Sequence, residues 1–221
     1  MQADPAVAPD GVPVVYVDQD IVVLNKPSGM LSVPGRGPDK QDCLSSRVQA
    51  VFTDALVVHR LDMSTSGLLV MARGAAAQRH LNDAFAQRTV HKRYEAWVFG
   101  ELTTAEGTWQ VIDLPIIVDW PNRPLRVIDL QRGQASVTRL RSTRYDAVRG
   151  CTRVELEPIT GRSHQLRVHL QAIGHPIVGD ALYAPSPVAA MAPRLQLHAS
   201  KLAFPHPLGG ELVQFESCAD F

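Results

Sequence analysis

Two stretches place reactive side chains where ordinary packing does not ask for them. The first is HRLDMSTSGLL, His59 to Leu69. Its one carboxylate, Asp62, follows an Arg–Leu pair and precedes a Ser/Thr/Gly run that opens into an apolar stretch. The second is ITGRSHQLRVH, Ile159 to His169. On a helix, Leu166, Leu170 and the later Ile173 share one stripe, and Arg167 borders it beside Leu170. A partly buried arginine needs an acceptor, ideally a carboxylate. A loop aspartate such as Asp62 would serve, and so would a structural partner elsewhere. By position alone, Asp62 fits a turn cap or a salt bridge as well as a catalytic group, and Arg60 at i−2 does not decide between them.

Other chemistries fail on spacing. His164 and His169 are five apart with no glutamate where a zinc-protease helix needs one. Gly161-Arg162-Ser163 is not a nucleophile elbow, which requires G-x-S-x-G. Pro27-Ser28-Gly29 matches neither a phosphate-binding loop nor a dinucleotide fingerprint. Glycosidase chemistry wants two facing carboxylates, and no second acid is placed like Asp62. An enzyme built on these residues has a single carboxylate, a companion arginine and no cofactor.

The elements that must hold them follow from hydrophobic period and breakers. Short strands are predicted over Val14–Val17 and Ile21–Leu24, with Asn25–Gly29 breaking the pattern. A helix is predicted over Asp42–Phe52, a strand over Leu68–Ala72, an amphipathic helix over Gly74–Arg88 and a strand over Lys92–Phe99. Val137–Tyr145 and Thr152–Leu156 read as a hairpin. Thr160 is placed to cap a helix from Arg162 to Ile173, ended by Gly174. Leu195–Phe204 and Leu212–Glu216 close the chain as strands. Hairpin spacing outnumbers strand–helix–strand alternation, so the expected fold is α+β. It is one domain on a largely antiparallel mixed sheet flanked by helices and loops.

Composition bounds the rest. The 221 residues are 45% hydrophobic and 20% charged, as in ordinary globular proteins. No apolar run is long enough for a membrane span, and the N-terminus lacks the basic start and apolar core of a signal peptide. Residues 1–12 read as a loose tail and 13–221 as the domain. Three widely spaced cysteines, Cys43, Cys151 and Cys218, argue against a disulfide framework or zinc site and fit a cytosolic protein. Net charge is zero, yet residues 119–169 hold ten arginines against five acids, and 18 of the 22 basic residues are arginine. Arginine recognises phosphate with a planar fork and stacks on bases, though an Arg-rich composition also follows from genomic base content.

Five stretches together resemble the RluA family of pseudouridine synthases. They are NKPSGMLSVPG (Asn25–Gly35), HRLDMSTSGLLVMA (His59–Ala72), KRYEAWVFG (Lys92–Gly100), PITGRSHQLRVHLQAIGHPIVGD (Pro158–Asp180) and RLQLHASKLAFPHP (Arg194–Pro207). They stand in family order and span most of the chain. LPIIVDWPNRP (Leu114–Pro124) and YAPSPVAAMAPRLQLHA (Tyr183–Ala199) resemble one branch of similar length, which acts on a large-subunit ribosomal RNA hairpin and on the anticodon stem-loop of certain transfer RNAs. Many relatives carry a small N-terminal RNA-binding domain. Only 24 residues precede Asn25, so none is expected here.

The resemblance implies that Asp62 acts on a flipped-out uridine, by attack at C1′, attack at C6 or removal of a C2′ proton. It implies that Arg167 keeps Asp62 ionised and aimed, and that Tyr94 stacks on the uracil and helps remove the C5 proton. Arg60 is the candidate to fill the vacated base position. His59, Arg36, Asn122, Arg123, Arg162 and Gln165 are candidate RNA contacts, with Arg139, Arg141 and Arg144 on one strand face. Lys26 either shapes a turn or reaches RNA, and His198 and His206 are read as core or turn residues. The expectation is a monomeric, cytoplasmic, cofactor-free synthase with no metal or membrane partner, acting on ribosomal and transfer RNA stem-loops. Alternatives are a synthase for other uridines, or a non-catalytic RNA-binding or RNA-chaperone protein.

Overall fold

The computed structural model describes residues 9–105 and 107–221. Its elements run β1 (Val14–Val17), β2 (Ile21–Lys26), α1 (Leu44–Val51), β3 (Ala55–Val57), β4 (Ser66–Arg73), α2 (Gly74–Ala86), β5 (His91–Phe99) and β6 (Gln110–Asp113). There follow β7 (Ile116–Val118), β8 (Arg126–Ile128), β9 (Val137–Asp146), β10 (Cys151–Pro158), α3 (Gln165–Ala172), α4 (Ser186–Ala189), β11 (Leu197–Pro205) and β12 (Leu212–Glu216). This is the predicted α+β class. The chain forms two compact units: residues up to Lys92 with His198–Asp220, and Arg93–Leu197 with Phe221.

In the first unit β2 lies antiparallel between β1 and β4, and β3 adds to β4. β11 runs parallel to β4, with Ala199 opposite Gly67, and β12 pairs antiparallel with β11. Gly67 permits that approach. Its φ is +112°, and a Cβ there would stand 2.4 Å from the Ala199 carbonyl oxygen. β4 is buried from Ser66 to Ala72, which explains its unbroken apolar run. α2 lays Ala77, Leu81 and Ala84 on this sheet against Ile21, Val23, Val70 and Phe204, at the spacing its stripe predicts.

In the second unit β10 pairs antiparallel with β5 and β9, β6 extends from β9, and β7–β8 form a separate hairpin. Alternation sends Ala96, Val98, Leu140, Val154 and Leu156 inward against Leu166 and Leu170 of α3. On the other face Arg139 pairs with Glu157 at 2.9 Å, Arg141 with Glu155 at 2.5 Å, and Arg153 with Glu95. Cross-strand carboxylates therefore pair with Arg139 and Arg141 in a ladder across the strands. A register shift between Arg153 and Val154 breaks the alternation before Arg144, whose guanidinium lies 5.3 Å over Trp97.

The α3 prediction also needs correction. The helix starts at Gln165, after His164 at φ 59°, and Thr160 is not its cap. Thr160 instead donates its hydroxyl to Gln165 Oε1 and accepts the Val137 N–H, tying the helix lead-in to β9. Ile173 is 36% exposed, because the helix has ended before it reaches the stripe. Strands β3 and β6 to β8, only three or four residues each, escape a periodicity reading. Of the tail expected over residues 1–12, residues 1–8 lie outside the described residues, while Pro9 and Val12 are buried.

Candidate active site

Asp62 lies half-buried on the loop between β3 and β4. A loop aspartate is useful only if its backbone is fixed, and the Asn25–Ser32 segment fixes it. Lys26, fully buried, points its ammonium at three carbonyls: Pro27 at 2.9 Å, Met30 at 2.8 Å and Met63 at 3.0 Å. Those acceptors match the three donors of an ammonium group. The Met63 carbonyl also accepts the Gly29 N–H at 2.9 Å. Ser28 donates to the Ser64 carbonyl, and the Ser32 hydroxyl both donates to the Leu61 carbonyl and accepts the Leu61 N–H. The backbone on either side of Asp62 is thus held from one segment. Burial pushes the Lys26 pKa down to about 7, and the nearby negative charge of Asp62 opposes that shift. Lys26 is therefore a strut for the loop. It makes no RNA contact, because its ammonium is enclosed.

The loop's entry is fixed at His59. Its ring lies 4.8 Å from that of Phe85, and its Nε2 accepts the Val70 N–H at 3.1 Å. Burial and the charge of Lys92 push its pKa down to about 3, so it is neutral at physiological pH. His59 thus packs on Phe85 and accepts the Val70 N–H at the entry to the loop. Arg60 and Arg36 are exposed. His198 and His206 are bonded within this unit as expected, to Ser66 and Ser217 and to Asp18. Asp18, Asp20 and His206 bring three metal-capable atoms within 4.8 Å of one another. That cluster is a closed turn: Asp18 accepts the Asp20 and Ile21 N–H groups, the Tyr16 hydroxyl and His206.

The second unit carries Tyr94 and Arg167. Tyr94, on β5, is half-buried and packs on the core that holds Ala96 and Leu166. Arg167, on α3, is 3% exposed and forms a fork on Asp180, Nε to Oδ2 at 2.8 Å and Nη2 to Oδ1 at 2.6 Å. Its guanidinium also lies 5.0 Å over the Tyr183 ring. Asp180 ends the Gly174–Asp180 segment, which the sequence reads as a structural turn near the site, whereas Tyr183 is a supporting residue that sequence reasoning missed. The signal was the Asp180–Tyr183 spacing, which lets one carboxylate also accept the Leu182 and Tyr183 N–H groups. Gln165 is 3% exposed, and its amide bonds Thr160, the Arg162 N–H, Val137 and Thr138. All its polar capacity faces inward, so its expected RNA contact is corrected to a clamp. Arg162, Asn122 and Arg123 are exposed, with Asn122 bonded to Asp119 and Arg123 lying 4.7 Å over Trp120.

Residues 20–172 match the family described as RNA pseudouridylate synthase. The chain belongs to that family. The dual-specificity RNA pseudouridine synthase RluA of Yersinia pestis is 50% identical over 208 residues, 94% of this chain and 99% of that protein. Its counterpart from Escherichia coli K12 is 48% identical over 94% of this chain and 93% of its own. Among solved structures, human RNA pseudouridylate synthase domain containing 1 superposes with a TM-score of 0.76 at 28% identity, covering 99% of this chain and 86% of that one. The synthase is thus an isomerase that makes pseudouridine in RNA, and none of its described helices is long and apolar enough to cross a membrane.

Proposed function

We propose that this synthase isomerises specific uridines in both large-subunit ribosomal RNA and the anticodon stem-loop of transfer RNA, with Asp62, Tyr94 and Arg167 as its reacting residues. The observation that carries the reading is the fixed carboxylate. Asp62 stands on a loop pinned by Lys26, Ser28 and Ser32, as a group that must meet one atom of a substrate requires. The dual-specificity relatives supply the substrate classes.

The reaction breaks the N1–C1′ bond, turns the uracil and joins C5 to C1′. The C5 proton leaves and N1 takes up a proton, so the sum is a redox-neutral isomerisation that calls for no cofactor. Asp62 acts on the flipped nucleotide as its ionised carboxylate. Arg167 supplies a positive charge for the reaction. Tyr94 offers a ring for stacking and a hydroxyl for the C5 proton. Arg60 fills the place of the flipped base, and Arg36, Asn122, Arg123 and Arg162 touch the RNA strand. Residues 13–221 serve as one catalytic domain, working as a monomer in the cytoplasm, where the free thiols of Cys43, Cys151 and Cys218 suit a reducing compartment.

The test is pseudouridine mapping of ribosomal and transfer RNA from cells lacking the protein, complemented with wild type or Asp62→Asn. Sites in both RNA classes should vanish and return only with wild type, while purified Asp62→Asn binds the RNA within about threefold of wild type. Loss of no site, or restoration by Asp62→Asn, would overturn the proposal.

A further inference from the structure

A second feature of the Arg93–Leu197 unit shares only Arg162 with the residues proposed above. A cavity of about 290 Å³ opens where the β7–β8 hairpin meets the lead-in to α3. Arg126, Arg132 and Arg162 line it, together with the apolar residues Ile116, Ile117 and Val118 of β7. Among the described residues no acidic side chain lines it. We propose that this cavity seats one nucleotide of the substrate RNA other than the isomerised uridine, gripping its phosphate with the arginines and resting its sugar or base on the apolar part of the lining. The proposal rests on the RNA-synthase reading and adds a subsite to it.

Two of the arginines, Arg126 and Arg132, carry bonds within the unit before any ligand arrives. Arg132 is anchored through Nε and Nη2 to Asp129, which also accepts the Gln131 and Arg132 N–H groups. The Arg126 Nη1 donates to the carbonyls of Pro124 and Leu125. The Arg126 backbone N–H donates to the Tyr183 hydroxyl at 3.0 Å, and that hydroxyl meets His164 Nδ1 at 2.6 Å. Hairpin and helix lead-in are therefore joined behind the cavity, and little side-chain freedom is lost on binding.

Charge and size narrow the occupant. Three like charges around one cavity repel each other, and Asp129 offsets only one of them. An anion relieves the repulsion, and a planar fork suits phosphate oxygens. The first turn of α3 carries no acid, so its positive end adds to the same field. A volume of about 290 Å³ sits at the small end of ligand pockets, near 300 Å³, which suits a single nucleotide. A bare phosphate would leave the apolar part of the lining uncovered.

The experiment measures affinity for an anticodon stem-loop RNA across a sodium chloride series. Arg132→Gln/Arg162→Gln removes two exposed charges from the cavity, and Arg79→Gln/Arg88→Gln removes two exposed charges from the region of α2. The cavity variant should weaken binding about 5- to 20-fold near 0.1 M salt and flatten the log–log salt slope by about one or more. The α2 variant should stay within about twofold. Equal weakening by both variants, an unchanged slope in the cavity variant, or no RNA binding by wild type would overturn the subsite. So would micromolar binding of uridine 5′-monophosphate alone that the cavity variant loses, since that assigns the cavity to a free nucleotide. If wild type binds RNA with these slopes yet forms no pseudouridine, the synthase reading fails and the subsite stands.

Discussion

Arg167 and Asp180 lock together inside the second unit, with side chains only 4% and 0% exposed. The pair takes the charge-assisted fork geometry that makes arginine–carboxylate contacts strong and directional. Gly179, at φ +76°, makes the placement possible, because a Cβ there would lie 2.0 Å from the Arg194 carbonyl oxygen. The arginine proposed for the reaction is thus held on one edge by Asp180.

Asp180→Ala leaves a buried guanidinium without that counter-charge, and breaking such a pair costs about 3–5 kcal/mol. Urea unfolding should show a loss of that size. Asp180→Asn keeps the shape but not the charge, and should lower kcat more than it weakens RNA binding. A stability change under about 1 kcal/mol in Asp180→Ala would show that the fork is dispensable.

Lys26→Met keeps most of the buried volume but strips the donors from the carbonyls of Pro27, Met30 and Met63. Unsatisfied buried acceptors cost about 1–3 kcal/mol each, and the Met63 carbonyl keeps a second donor in the Gly29 N–H. A net loss of about 2–4 kcal/mol in urea unfolding is expected. Because the Asp62 loop is slackened, kcat should fall at least tenfold while RNA affinity stays within about threefold. Wild-type kcat in this variant would break the link between strut and carboxylate.

His59 sets a pH dependence. Its native pKa is pushed to about 3, whereas the unfolded residue titrates near 6.5. Between those values the unfolded chain binds the extra proton, so stability is full above about pH 6.5 and falls as pH drops toward 3. His59→Gln keeps an acceptor for the Val70 N–H without a titrating ring. The wild type should therefore lose about 1 kcal/mol or more relative to this variant between pH 7 and pH 4, read as the difference of their urea midpoints. Parallel acid profiles would show that His59 takes up its proton as readily in the native protein as in the unfolded chain.

Long periodic elements were legible in the residues themselves. β1 and β12 match their predicted bounds, and α2, β5 and the β9–β10 hairpin fall within two residues of theirs, since alternation and the 3.6-residue stripe report directly on one buried face. The family was legible too, because the HRLD and GRSHQLR motifs are local strings.

What the residues alone did not decide was pairing. No periodicity says that the Lys26 ammonium closes on Met63, 37 positions away, or that Arg139 and Arg141 pair with Glu157 and Glu155. Nor does any local pattern show that Arg167 grips Asp180 or that Gln165 turns its amide inward. A buried charge or amide takes whichever partner the folded backbone brings within about 3 Å, and chain crossings far apart in sequence set that distance. Sequence therefore named the chemistry, while tertiary structure chose which polar groups face inward to hold it.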